Sequence, residues 1–365
     1  MEFTQGVRFD TLGLLPEMQR ALEKKGITES TPIQAGCIAP MRAWKDVIAK
    51  APTGTGKTFA FGIPIIEHID AEREEVQAVI MAPTRELAMQ ITDELRDLCA
   101  FLPGIRMVCL YGGAPIGKQI EQLKKKPQIV VATPGRLSDH MKRRTVKLDH
   151  VDTVILDEAD RMLDMGFIDD IMKLVQQLPK NCQRIMFSAT MPPKIRELAV
   201  TMLHDPVEVK IAVSKPAEKI QQSAYVCYEP QKLKIINHIF KAGDLQRVII
   251  FSGKKDKVKE IARSLKSMHI NCGQMHSDLS QQERDEVMYR FKAGQVDVLV
   301  ATDIVARGID IDDILTVINY DVPHDAEDYV HRIGRTARAD CDGAAITFIS
   351  DTDIYRFQQI EHFLG

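Results

Sequence analysis

The residues of this chain best equipped for chemistry are Gly54, Gly56, Lys57 and Thr58, within Ala51-Pro-Thr-Gly-Thr-Gly-Lys-Thr58. They follow a short apolar run, Asp46-Val-Ile-Ala49, and precede a helix-like segment beginning Thr58-Phe-Ala-Phe-Gly62. Strand, glycine-rich loop and helix is the setting in which successive backbone N–H groups curl around an anion. Glycine at 54 and 56 permits the curl, and the helix N-terminus adds the positive end of its dipole. Thr53, Gly54, Thr55 and Gly56 then line the phosphates. Lys57 supplies a mobile cation for β- and γ-phosphates, and the Thr58 hydroxyl is a ligand for Mg²⁺. Alanine stands at 51 where the usual pattern begins with glycine, and the plainer alternative is a tight turn with no ligand.

Two carboxylates complement that loop. Asp157 and Glu158 end the apolar run Val151-Asp-Thr-Val-Ile-Leu156. A carboxylate at the tip of a buried strand beside a phosphate loop can hold Mg²⁺, and its neighbour can orient or deprotonate an attacking water. An acidic helix cap is the plainer alternative. Upstream, the Gln34 amide can pair with both donor and acceptor on one adenine edge. Near the other end, Arg335 and Arg338 are spaced to present two guanidinium forks on one side of a turn, with a solvated basic face as the alternative.

These residues need elements to hold them. Leu14, Met18, Ala21 and Leu22 recur at helical spacing, and Gly26 ends that helix. Short apolar runs at residues 76–82, 128–132, 151–156 and 184–187 each end in a polar tip followed by a helix-like segment. That alternation predicts an α/β, doubly wound parallel sheet with its ligands at the carboxyl ends of the strands. Val207-Glu-Val-Lys210 reads as a last edge strand, followed by a polar, proline-containing linker at residues 212–219. Strands at 247–251, 296–300 and 315–319, with helices at 255–268, 281–292 and 355–364, predict a second α/β domain without a Gly-Lys-Thr loop. The expected division is residues 1–211, linker 212–219 and residues 220–365.

Composition sets outer limits. The chain has 365 residues, is 45% hydrophobic and 27% charged, and carries a net charge of -3, so any nucleic-acid surface must be a local basic track. No apolar run approaches the ~20 residues of a membrane span, and residues 1–10 hold no leader-like apolar segment. Seven scattered cysteines without a Cys-x-x-Cys pair suggest reduced thiols, and the expected location is cytoplasmic.

Asp157-Glu-Ala-Asp160 resembles the motif that names the DEAD-box RNA helicases. Gln34, the loop at 51–58, Pro83-Thr-Arg-Glu-Leu87, Gly112-Gly113, Thr133-Pro-Gly-Arg136 and Ser188-Ala-Thr190 match that family in identity and order. Ala301-Thr-Asp-Ile-Val-Ala-Arg-Gly-Ile-Asp310 and His331-Arg-Ile-Gly-Arg-Thr-Ala-Arg338 resemble its fifth and sixth motifs. The resemblance implies two RecA-like domains, compact bacterial relatives, ATP and Mg²⁺ as cofactors, and single-stranded or short duplex RNA bound without regard to sequence. It assigns Phe9, Ile27, Gln34, Gly308 and Asp310 to ATP. It assigns Pro83, Thr84, Arg85, Gly113, Thr133, Gly135, Arg136, Ser252, Arg284 and Thr302 to RNA. Ser188, Thr190, Asp160 and His331 would couple the two sites, and Arg335 and Arg338 would stabilise charge on the transferring phosphoryl group. The sequence-based expectation is a monomeric RNA-dependent ATPase that separates short duplexes by closing two domains on RNA.

Three positions depart from the pattern. Ile27 stands where an aromatic ring is usual, Ser30 replaces a common proline, and Ala337 replaces a glycine. An ATP-gated RNA clamp needs the same motifs and remains an alternative. A DNA helicase is disfavoured by the tetrad, and a small-molecule phosphotransferase leaves the paired arginines unexplained.

Overall fold

The computed structural model describes residues 2–3, 5–51, 56–211, 220–243, 245–302, 314–336 and 343–364. The chain divides into two compact units, Met1–Ala212 and Val213–Gly365. The expected linker, residues 212–219, lies outside the described residues.

The first unit is built on strands β1 (Glu2–Phe3), β2 (Val47–Lys50), β3 (Ala78–Met81), β4 (Met107–Leu110), β5 (Ile129–Ala132), β6 (Thr153–Leu156), β7 (Gln183–Ser188) and β8 (Val207–Ile211). They form one sheet in the order β1-β8-β2-β7-β6-β3-β5-β4, parallel at every described pairing. Period-two alternation sends Val47, Ala49, Ile80, Val131 and Phe187 to one face, and Ile48, Met81, Ala132, Leu156 and Met186 to the other. Helices Pro32–Arg42, Lys57–His68 and Arg85–Leu98 cover the first face; Pro134–Lys142, Ile168–Gln176 and Pro193–Met202 cover the second. Burial on both faces is why these strands read as continuous apolar runs.

Helix Pro16–Lys24 ends as its sequence requires, with Gly26 at φ 70. Two expectations change. β8 is not the outermost strand, because β1 pairs beyond it. β4 was not anticipated.

Buried glutamines Gln77, Gln128 and Gln183 stand at the amino ends of β3, β5 and β7. Each amide bonds backbone of the loops behind the sheet: Gln77 to Asp70, Gln128 to Arg106 and Ala71, Gln183 to Met41 and Lys45. The amino ends are thereby tied down, and the functional tips emerge at the opposite, carboxyl edge.

The second unit holds β9 (Ile220–Val226), β10 (Val248–Ser252), β11 (Cys272–Met275), β12 (Val298–Thr302), β13 (Thr316–Asn319) and β14 (Gly343–Ile349), in the parallel order β11-β12-β10-β13-β14-β9. Ile249, Phe251, Leu299 and Val317 fill one face, and Val248, Ile250, Val300 and Ile318 the other. The fold class is therefore the one expected: two doubly wound, RecA-like parallel-sheet units.

Candidate nucleotide site and nucleic-acid face

β2 delivers Ala51, whose N–H donates to the Ser188 carbonyl at 3.1 Å. Thr53, Gly54 and Thr55 lie outside the described residues. Gly56 caps helix Lys57–His68 in the left-handed region, at φ 78. A Cβ there would meet Gln34 Nε2 at 2.6 Å, so this position needs glycine for space as well as for conformation. Gln34 is spent locally: its Nε2 donates to the Gly56 carbonyl at 2.9 Å, and its Oε1 accepts the Thr31 N–H at 2.9 Å. One N–H and one lone pair are left for a base. Gln34 thus braces the phosphate loop directly, a role its sequence position did not disclose.

Lys57 and Thr58 are both buried. Lys57 Nζ lies 3.2 Å from Asp157 Oδ1 but makes no properly directed hydrogen bond among the described residues. Burial alone would pull its pKa down; Asp157, Glu158 and Asp160 outweigh that and hold it above the ordinary lysine value. Among the described residues the Thr31 hydroxyl is likewise buried with no hydrogen-bond partner, within 3.4 Å of the Cβ position of Gly56. A buried ammonium and an orphan hydroxyl around a glycine turn fit an incoming phosphate.

Asp157 ends β6, and its Oδ1 accepts the Glu158 N–H at 2.9 Å. Glu158 sits at φ 52, ψ 52, where a side chain is uncommon. That turn sets its carboxylate beside Arg161, whose Nη1 donates at 3.3 Å. Burial pushes the Glu158 pKa up, Asp157 and Asp160 add to the rise, and Lys57 and Arg161 oppose it. Asp160 Oδ2 accepts from both Thr190 N (3.0 Å) and Thr190 Oγ1 (2.7 Å). Ser188 Oγ accepts the Asp160 N–H at 3.2 Å and donates to the Thr190 carbonyl at 2.7 Å. The tips of β6 and β7 are one hydrogen-bonded body.

Phe9 is fully buried in the core and offers no surface to a base. Its N–H bonds the Thr28 carbonyl, so it steadies the segment carrying the half-buried Ile27. Ser30 has its own purpose: its Oγ accepts the Val7 N–H at 2.9 Å, and its N–H, which proline would lack, donates to Val7 O at 2.7 Å.

On the neighbouring tips, Thr84 caps helix Arg85–Leu98 beside the buried Pro83, and the exposed Arg85 reaches within 3.9 Å of the Cβ position of Gly113, itself at φ 83. Thr133 and Gly135 open helix Pro134–Lys142. Arg136 Nη1 donates to the Ala114 carbonyl (3.0 Å) and Gln119 Oε1 (3.2 Å). Gln119 Nε2 donates to the Tyr111 carbonyl at 2.9 Å, and His140 Nε2 lies 3.0 Å from Gln119 Oε1. Gln119 and His140, buried polar residues on amphipathic helices, knit these tips together. Sequence reasoning missed both; only their polar type at apolar positions could have flagged them.

In the second unit, Ser252 and Thr302 stand side by side in register at the ends of β10 and β12. Ser252 is fully buried, and its hydroxyl donates to Asp321 Oδ2 at 2.7 Å, as does the Gly253 N–H at 2.8 Å. Asp321 is in turn held by the buried Lys232 at 3.2 Å. Arg332 Nη1 donates to Asn319 Oδ1 and the Asp321 carbonyl, tying this network to helix Ala326–Ile333. Arg335 follows that helix, half-buried, and Arg284 donates to the Ser277 carbonyl. Gly308, Asp310, Ala337 and Arg338 lie outside the described residues, as does the His331 side chain.

Two family profiles match this chain: the DEAD/DEAH box helicase profile over residues 31–198, and the helicase conserved C-terminal domain over residues 231–340. The chain is 43% identical over 356 residues to the ATP-dependent RNA helicase CshA of Limosilactobacillus reuteri, covering 97% of this chain and 71% of that protein. It belongs to the DEAD/DEAH box helicase family. The CshA of Geobacillus kaustophilus is 44% identical, over 97% of this chain and 76% of the relative. Among solved structures, S. cerevisiae Dbp5 bound to RNA and ADP BeF3 matches with TM-score 0.73 and 30% identity, over 98% of this chain and 93% of that one. In this DEAD/DEAH box helicase the tetrad Asp157–Asp160 is the turn that carries Glu158 beside Lys57. Among the described residues, no helix is long and apolar enough to cross a membrane.

Proposed function

We propose that this chain is an ATP-dependent RNA helicase, an RNA-dependent ATPase that locally separates short duplexes or remodels RNA–protein complexes. The observation that carries this reading is the buried cluster of Lys57, Asp157 and Glu158 at the head of a glycine-capped helix, in a chain of which 97% aligns with a protein named an RNA helicase. The Lys57 ammonium, now 3.2 Å from Asp157, would hold the phosphates of a bound ATP. Thr58 and Asp157 would hold Mg²⁺, which neutralises charge on the β- and γ-phosphates. Glu158, raised in pKa by burial and fixed by Arg161, orients the attacking water and accepts its proton as the phosphoryl group leaves ADP. Arg335 and Arg338 of the second unit supply positive charge at that group when the units close.

RNA favours closure if its backbone contacts both units. Arg85, Gly113, Thr133, Gly135 and Arg136 line the first track; Arg284, Thr302 and the Ser252 turn line the second. These are small, polar or basic residues, suited to phosphate and 2′-OH contact without sequence preference. The Asp160–Thr190–Ser188 body joins the catalytic turn to this face. The test is ATP turnover with and without RNA, for the natural chain and for Glu158→Gln. RNA stimulation lost in the variant supports the reading, and turnover indifferent to both RNA and Glu158 overturns it.

A further inference from the structure

At the amino-terminal edge of the first sheet, opposite the catalytic tips, lies a cavity of roughly 520 Å³ lined by Trp44, Lys45, Lys180, Arg184, His204 and Asp205 among others. Its size is that of an ordinary ligand site, about 300–1,000 Å³. Three observations single it out. Trp44, the only tryptophan of the chain, is held at φ 59, a conformation that glycine adopts freely and a bulky residue does not. Its indole stacks flat on His68, with ring centroids 3.9 Å apart and planes 8° apart, yet it remains 49% exposed. Among the described residues Arg184 Nε is buried without an acceptor, although Nη1 of the same group donates to the Met202 carbonyl.

Charge sharpens the picture. The Asp46 carboxylate is already occupied by the backbone N–H groups of Arg184 and His204, at 2.8 and 2.7 Å. The three cations Lys45, Lys180 and Arg184 still outnumber the two carboxylates, Asp46 and Asp205, in the lining. An aromatic plate, an orphan guanidinium donor and two lysines make a recognition set for a flat base joined to a phosphate.

We propose that this cavity is an accessory site for one nucleotide unit of single-stranded RNA, its base on the exposed indole of Trp44 and its phosphate on Arg184, Lys45 and Lys180. The proposal rests on the reading that the chain binds RNA, and it adds a contact remote from the carboxyl-edge track. A strand held there is anchored to the first unit independently of the nucleotide site.

Trp44 is its own reporter. In the full-length chain, a uridine decamer at low salt should quench tryptophan emission saturably, and salt should weaken the effect. Lys45→Glu with Lys180→Glu should abolish the quench while RNA-stimulated ATP turnover stays within about twofold, since neither residue touches the catalytic turn. Trp44→Gly suits the left-handed backbone, so folding is preserved, and it should weaken decamer binding by anisotropy about fivefold or more. Adenosine monophosphate should quench only at far higher concentration; equal potency would make this a free-nucleotide site and overturn the strand reading. RNA-stimulated turnover with unmoved Trp44 emission would overturn the inference and leave the helicase reading standing. Absence of both RNA stimulation and RNA binding would fell the two together.

Discussion

Replacing Lys57 by methionine tests the electrostatics of the catalytic turn. The side chains of Lys57 and Asp157 are 7% and 3% exposed, so solvent screens their pairing poorly. Removing one member of a buried pair costs about 3–5 kcal/mol, because the partner charge is left behind. Here Lys57 faces Asp157 and also lies within electrostatic reach of Glu158 and Asp160. For a unit of this size, 1 kcal/mol corresponds to about 2–4 °C in Tm, so a loss of about 6–20 °C is expected at neutral pH. The pH dependence has a definite sign. The folded-state pKa of Glu158 is raised, so the folded chain holds a proton that the unfolded chain has released. Stability is greatest below the ordinary glutamate pKa and falls as pH climbs through the raised value. Loss of the Lys57 ammonium, which opposes that rise, widens the window. The deficit of Lys57→Met should therefore be small in acid and grow towards neutrality. Trp44 lies in the first unit, and its emission during heating follows that unit alone. A variant with the natural Tm at neutral pH, or with a deficit independent of pH, would refute the reasoning.

Gly56→Ala should lower affinity for a fluorescent ATP analogue about tenfold, since left-handed strain costs about 1–2 kcal/mol and the new Cβ displaces Gln34. Glu158→Gln should reduce kcat by about 10²–10⁴ with ATP binding retained, measured by steady-state turnover beside equilibrium titration. In the natural chain kcat should rise with pH through the raised Glu158 pKa and level off above it, because only the carboxylate accepts a proton. Thr190→Val removes the 2.7 Å bond to Asp160, worth about 1.5–3 kcal/mol, and should raise the RNA concentration for half-stimulation while ATP affinity without RNA is little changed.

Much of this was legible in the chain itself. The continuous apolar runs gave both sheets away, because strands buried on two faces need no polar alternation. Gly56, Lys57, Asp157 and Glu158 stand out in the sequence because phosphate chemistry favours those types at strand ends. What stayed hidden depends on contacts far apart in sequence. Gln34 could be read as facing a base, but not as bracing Thr31 and Gly56 with the other half of its amide. Ser252 belongs to the matched RNA set, and the bond from its hydroxyl to Asp321, sixty-nine residues on, was not legible in the sequence. Phe9 carries a ring that suits adenine, and packing places it wholly in the core. Gln119, His140 and Lys232 are polar residues at buried helix positions, and one sequence read alone does not reveal which partners satisfy them. β4, β9, β11 and β14 were not read from the sequence.

The central claim is that ATP hydrolysis needs both units, the first supplying Lys57 and Glu158 and the second an arginine. RNA-stimulated turnover by Arg335→Ala in the full-length chain tests it most directly. The account predicts a fall in kcat of about 10³ or more with affinity for ATP nearly unchanged. Turnover equal to that of the natural chain, at saturating RNA and ATP, would contradict it.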